Sequence, residues 1–286
     1  MKIRLLQLDG SMPNIALMKI STYHKRLNDD VNWYSHIEDY TDTDILYISK
    51  LFNFTNDTLY LPENAKIIKG GTGYDITLKL PLEIDKIIDI DYSLYPNCDY
   101  SVQFLTRGCI RKCLFCVVPQ KEGFIHKVNP MKLKSNSKFI KLFDNNFFAY
   151  KNWKENVDIL KSYNLPIEFN QGLDLRIMNE EQAEALSTLK IKNIYTAYDH
   201  PNDKEKVMNG LNILLQYIKS YKITTYVLIG FNTTPEEDFK RVEELRDLKV
   251  NPYVMPFNKK DPYQKKFARW VNHKAIFKTV KWEDYK

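Results

Sequence analysis

Between residues 100 and 256 the chain alternates short apolar runs with stretches of helical spacing, and that alternation limits the fold more than any other feature. Apolar runs fall at 100–106, 138–143, 167–170, 192–197, 224–229 and 251–256. Helical stretches stand between them, notably at 153–163, 180–189, 205–221 and 235–248. Strands separated by helices return parallel through crossovers rather than folding back as hairpins. In such α/β architectures the functional groups gather at the carboxyl ends of the strands.

The front of the chain repeats the pattern on a smaller scale. Residues 1–8 read as a buried strand bounded by Asp9-Gly10. A helix is expected to start near Pro13, with Ala16, Ile20, Tyr23 and Leu27 as its apolar stripe. Further strands are expected at 31–34, 44–51 and 65–69, the last ending in Gly70-Gly71-Thr72-Gly73, which reads mainly as turn chemistry. Residues 76–99, with Pro81, Pro96 and the acidic Asp85, Asp89 and Asp91, read as a connector.

The loop after the first of the six runs carries three cysteines, Cys109, Cys113 and Cys116, in Arg107-Gly108-Cys109-Ile110-Arg111-Lys112-Cys113-Leu114-Phe115-Cys116. This Cys-x3-Cys-x2-Cys spacing offers three thiolates to one metal cluster and withholds a fourth, whereas iron–sulfur clusters are usually held by four. A structural zinc site takes four ligands, commonly from two short pairs. The other candidates, Cys98 and His126, have no paired spacing. Three clustered cysteines and one distant one form no natural disulfide set. Cys98 reads as a small buried apolar residue.

On these residues, with the aromatic Phe115 before the last cysteine, the chain resembles the radical S-adenosylmethionine superfamily, nearest to its branch with an N-terminal cobalamin-binding-like domain. The resemblance implies an α/β fold: a partial (β/α)6 TIM-type barrel over residues 100–258, preceded by a small Rossmann-like domain over 1–75 and the connector. A tail at 259–286, rich in Phe267, Trp270, Phe277 and Trp282, is expected to pack on the barrel. The resemblance further implies a 4Fe–4S cluster on Cys109, Cys113 and Cys116, with one iron left open for S-adenosylmethionine. Reductive cleavage of that co-substrate gives a 5′-deoxyadenosyl radical, which abstracts hydrogen from an unidentified substrate. A one-electron donor such as a flavodoxin or ferredoxin is implied as partner.

The same resemblance nominates groups that hold the co-substrate. Asp144-Asn145-Asn146 follows the second run, where the family often has Gly-Gly-Glu and this branch an Asp-Asp-Asn-Phe-like version holding the amino group. An Asp with flanking amides supplies acceptors for an ammonium; an Asx turn is the alternative. After the third run, Gln171 and Asp174 are candidate ribose partners and Arg176 a bidentate partner for the carboxylate. The alternative is a capping Asp174 with Arg176 on the surface. Asp199, after the fourth run, is a candidate ribose or amino-group partner. Gly230, after the fifth, lets backbone approach the adenine, and Thr234 with Glu237 reads as a capping box for the next helix. Phe115 completes the set.

Two other readings belong to different classes. One is a cobalamin-dependent radical methyltransferase; cobalamin is not favoured, because Asp9-Gly10-Ser11-Met12-Pro13-Asn14 lacks the histidine of the branch's Asp-x-His-x-x-Gly, and His24 falls mid-helix, toward solvent or the sheet. The other is a non-enzymatic metal-binding module on nucleic acid. The formal charge of +6 is modest and the lysines are spread, so nucleic acid is not favoured either. No apolar run approaches membrane-spanning length and the chain opens on a strand-like segment, so no membrane association and a reducing cytoplasm are expected.

Overall fold

A computed structural model describes residues 1–285. Its internal contacts divide the chain into two units. The first comprises Met1–Phe104, Val117–Gly123 and Asn129–Ser137; the second comprises Leu105–Cys116, Phe124–Val128 and the chain from Lys138 onward.

In the first unit β1 (Lys2–Gln7), β2 (Asp30–Trp33), β3 (Ile45–Ser49) and β4 (Lys66–Gly70) form a parallel sheet in the order β2-β1-β3-β4. β1 pairs on both sides, with Ile3 opposite Val31 and Ile45. Ile3, Leu5, Leu46 and Ile48 are buried in its core. Helix α1 (Ile15–Arg26) is capped by the Asn14 side chain, which accepts from the Leu17 N–H at 3.1 Å. Its buried face is Leu17, Met18, Ile20, Ser21 and His24. The expected stripe is therefore out of phase, and Leu27 lies past the helix end and is exposed. The face turns toward His24 because both ring nitrogens find buried partners, Asp29 at 2.7 Å and the Tyr47 hydroxyl at 3.0 Å.

At the carboxyl ends of β1 and β3 the first unit satisfies its polar groups internally. Asn14 Nδ2 donates to Ser49 Oγ at 2.7 Å, and the Tyr95 hydroxyl joins the Gln7 side chain to the Asn14 N–H. Asp9 accepts from the Leu51 and Phe52 N–H groups and the Thr55 hydroxyl. A cleft of ≈ 330 Å³ beside them is lined by Leu5, Gln7, Met12, Trp33, Tyr34 and Tyr95, at the small end of ligand-pocket sizes. The glycine turn after β4 has a packing cause. At φ +98° Gly71 lies against the Lys50 backbone, where a Cβ would meet the carbonyl oxygen at 2.3 Å. The unit also holds α2 (Leu82–Asp85), β5 (Tyr100–Gln103) and α3 (Val118–Glu122). Cys98 is half-buried rather than buried, and its thiol donates to the Tyr100 carbonyl at 3.3 Å.

In the second unit a short antiparallel ribbon, β6 (Thr106–Arg107) with β7 (His126–Lys127), stands beside five parallel strands. These are β8 (Phe139–Leu142), β9 (Ile167–Leu173), β10 (Ile191–Ala197), β11 (Ile223–Ile229) and β12 (Asn251–Pro256), neighbours in chain order. The crossovers carry α4 (Trp153–Tyr163), α5 (Glu180–Ser187), α6 (Lys204–Tyr217) and α7 (Pro235–Asp247). Helix leucines 160, 186, 211, 214 and 245 and strand residues Ile140, Ile167, Ile194, Val227 and Val254 are buried together as its core. Capping boxes fix two helix starts, Asn179 with Gln182 for α5 and Thr234 with Glu237 for α7.

The strands remain an open parallel sheet and do not close into a barrel. Helices α8 (Pro262–Asn272) and α9 (Lys274–Thr279) follow β12. The Asn272 amide exchanges two hydrogen bonds with the Val254 backbone, at 2.7 and 2.9 Å, and ties α8 to that strand. Phe267, Trp270 and Phe277 are buried in this terminal packing. Among the described residues no helix is long and apolar enough to cross a membrane.

Candidate active site

Three loops of the second unit meet where β8 and β9 end. The first is the cysteine loop, which starts at β6. Its start is fixed by Asp144, the second residue after β8. One carboxylate oxygen accepts from the Leu105 N–H at 2.9 Å, and the other accepts from the N–H and hydroxyl of Thr106. Asp144 is 5% exposed. Burial pushes its pKa up to about 7, against the pull of those hydrogen bonds and of Arg107. Both its oxygens hold the loop, so Asp144 acts as a brace for the cysteines rather than as an open acceptor.

Past the brace, Gly108 takes φ +80° and the chain turns into Cys109. The Cys109 sulfur accepts from the Arg111 N–H at 3.3 Å and from Asn146 Nδ2 at 3.6 Å. Residues 113–116 form one turn, closed by the Cys116 N–H on the Cys113 carbonyl at 3.0 Å. All three cysteines are half-buried. Burial raises the Cys113 thiol, and Asp199 and Cys109 add to that effect while the Arg176 guanidinium opposes it.

Asp174 lies at the centre of the arrangement. Its side chain is 7% exposed and accepts from Arg176 Nε at 2.7 Å, Arg111 Nε at 2.8 Å and Asn146 Nδ2 at 3.3 Å. Burial pushes this carboxyl up, but Arg176 and Arg111 outweigh it and hold the group below the usual carboxylate range. The cap reading also holds: Asp174 accepts from the Arg176 N–H at the start of the turn Leu175–Ile177. Arg176 is not a loose surface side chain, because Asp174 and Asp203, the latter at 3.0 Å, fix its direction. Cap and arginine clamp coexist.

The other nominated residues take different places. Asn145 is half-buried in the turn between Asp144 and Asn146. Gln171 is exposed on β9, and among the described residues no hydrogen bond ties it to the Asp174 network. Asp199, just past β10, accepts from the Leu228 N–H at 3.3 Å; burial lifts its pKa to about 6 against that bond and the charges of Arg241 and Arg176. Phe115 packs edge-to-face on Phe231 at 5.4 Å, which packs on Phe257 at 4.8 Å. Gly230 has φ +71°, and the space a Cβ would fill holds the Gln264 carboxamide of α8, 2.1 Å away. The close approach expected from an adenine is made here by Gln264.

Two residues that sequence reasoning passed over shape the site. Arg111 ties the cysteine loop to Asp174; its only signal is a basic residue two places after a cysteine. Arg241, 1% exposed, donates to the carbonyls of Tyr198 and Leu228 at 2.8 and 2.9 Å and pairs with Asp238. It fastens the ends of β10 and β11 on either side of Asp199. Its signal is the i,i+3 spacing from Asp238 on α7.

Among the described residues no three His, Cys, Asp or Glu side chains converge on a single metal-ion position. A cubane differs from an ion in taking each thiolate at a separate iron. The donor set here suits such a group: thiols on a braced loop, with N–H donors aimed at sulfur. Asn146 adds an independent observation. Its amide nitrogen faces Cys109 and Asp174, while its Oδ1 is buried with no hydrogen-bond partner. A buried acceptor without a donor is costly and fits a ligand that brings one. In comparisons with known proteins, no family model matches this chain and no curated protein matches its sequence.

Proposed function

We propose that this chain is a radical S-adenosylmethionine enzyme, that its second unit belongs to a partial (β/α)6 barrel, and that Cys109, Cys113 and Cys116 hold a 4Fe–4S cluster. The observation that carries the reading is the single hydrogen-bonded network joining the cysteine loop to Asn146, Asp174 and Arg176. When bound, the cluster supplies one electron that splits the sulfonium of S-adenosylmethionine and leaves a 5′-deoxyadenosyl radical to take hydrogen from a substrate.

The chain's own residues bind and orient the co-substrate. Asn146 Oδ1 accepts from the co-substrate's ammonium group. Arg176 has five N–H donors, and those not engaged by Asp174 and Asp203 serve the carboxylate. Asp199, mostly ionised above about pH 6, accepts from a ribose hydroxyl. Phe115, Phe231 and Phe257 make an aromatic shelf on which the adenosyl group packs. A cytoplasmic setting and a flavodoxin- or ferredoxin-type donor belong to the same reading.

The test is anaerobic reconstitution with iron and sulfide, then dithionite and S-adenosylmethionine. The reading requires 5′-deoxyadenosine to form. Protein that loads a cluster yet forms none sinks the activity.

A further inference from the structure

We infer that Asn146 is a positioning residue that tunes the cluster by keeping a hydrogen bond on the Cys109 sulfur, its amide locked in one orientation by Asp174. The inference rests on the cluster reading above.

A carboxamide can turn over and exchange its oxygen and nitrogen, and only its partners decide which way it stands. At Asn146 both partners on one side are acceptors: Cys109 Sγ at 3.6 Å and Asp174 Oδ2 at 3.3 Å. Only the NH2 end satisfies them. Turning the amide over would set its oxygen against a sulfur and a carboxylate. Asp174 is itself held in place, because Arg111 from the cysteine loop holds one of its oxygens and Arg176 from its own turn holds the other. Asn146 is 2% exposed, so water cannot substitute for either partner. A single buried amide thus presents its donor to sulfur, while its acceptor stays buried without a protein donor.

Hydrogen bonds to a ligand sulfur stabilise the more negative, reduced form of an iron–sulfur cluster and raise its potential. The Arg111 N–H at 3.3 Å is a backbone donor and persists whatever stands at 146. The Asn146 bond is the one that substitution removes. Asn146→Leu keeps a similar volume and deletes the donor. Asn146→Asp keeps the shape and, titrated at a pH high enough to ionise the new buried carboxyl, deletes the donor and adds negative charge beside sulfur.

The experiment uses full-length parent and both variants, reconstituted anaerobically without S-adenosylmethionine. Iron content, thermal unfolding and the midpoint potential, by electron paramagnetic resonance during potentiometric titration, are measured on each. Equal iron is expected, with the midpoint falling from parent to Asn146→Leu and further in Asn146→Asp. Should Asn146→Leu unfold, the isosteric Asn146→Asp carries the comparison. Coincident midpoints overturn the inference and leave the cluster standing. Iron loss in a variant that unfolds at the parental temperature also overturns it, since Asn146 would then be holding the cluster rather than tuning it. A parent that takes up no cluster removes the reading beneath the inference.

Discussion

Replacing Arg241 by methionine removes a buried guanidinium while keeping most of its apolar stem. Arg241 and Asp238 are each 1% exposed and sit 2.6 Å apart, so solvent screens none of their attraction. The change leaves Asp238 with the Thr233 hydroxyl on one oxygen and none on the other, and strips the Tyr198 and Leu228 carbonyls of a charged donor. Breaking a buried pair from one side costs about 3–5 kcal/mol; with two carbonyls also orphaned, about 4 kcal/mol is expected here. The loss depends on pH. Burial already raises Asp238, and removal of Arg241 raises it further. Its folded pKa then stands above the unfolded value, so the folded variant recovers stability by taking a proton as pH falls. The deficit is therefore larger at about pH 8 than at about pH 5.5. Urea unfolding followed by far-UV circular dichroism at both pH values measures it. A loss below about 1 kcal/mol at the higher pH, or equal losses at both, would refute the reasoning.

Other outcomes follow from the same geometry. Gly230→Ala places a methyl in the left-handed region against the Gln264 carboxamide and should cost about 2 kcal/mol, part of it regained in a Gln264→Ala background, as read by denaturant midpoints. Asp144→Asn turns an amide N–H toward the Leu105 or Thr106 N–H and should cost about 1–3 kcal/mol, with faster proteolysis at the cysteine loop; parental stability and nicking would count against the brace. Asp144 and Asp199, lifted to about 7 and about 6, bind more protons folded than unfolded, so their contribution to stability is greatest in the ordinary carboxylate range and declines as pH rises through those values. A melting temperature that rises steadily from about pH 5 to about pH 8 in the parent, with no larger rise in Asp144→Asn, would contradict this. Cys113→Ala should abolish both the visible cluster absorbance and co-substrate cleavage, because two thiolates cannot hold the cubane securely; cleavage at the parental rate would undo the ligand assignment.

The parallel strands were legible because a strand flanked on both sides reads as an apolar run, and β8 to β12 each stand within a few residues of such a run. Helix faces were less so. In α1 the apolar letters pointed to a stripe through Tyr23 and Leu27, whereas the buried face includes Ser21 and His24. Polar side chains go inside when distant partners satisfy them, and periodicity carries no record of partners. The same limit governs the site. Asp144 and Gly230 were visible as unusual positions, but their causes, the backbone at 105–106 and the Gln264 side chain, lie 38 or 39 and 34 residues away in the chain. Arg111 and Arg241 were passed over because their partners, Asp174 and the carbonyls of Tyr198 and Leu228, are not adjacent in the chain. Asp174 was read as either cap or ligand holder, and its four donors let it be a cap and a clamp together.

A cluster with one iron left for the co-substrate is the feature on which the proposed chemistry depends. The most direct measurement is the electron paramagnetic resonance spectrum of oxygen-free, dithionite-reduced protein, recorded before and after adding S-adenosylmethionine. A reduced-cluster signal that changes shape on addition is the predicted result. A colourless, zinc-containing protein, or a cluster signal the co-substrate leaves untouched, would contradict the claim.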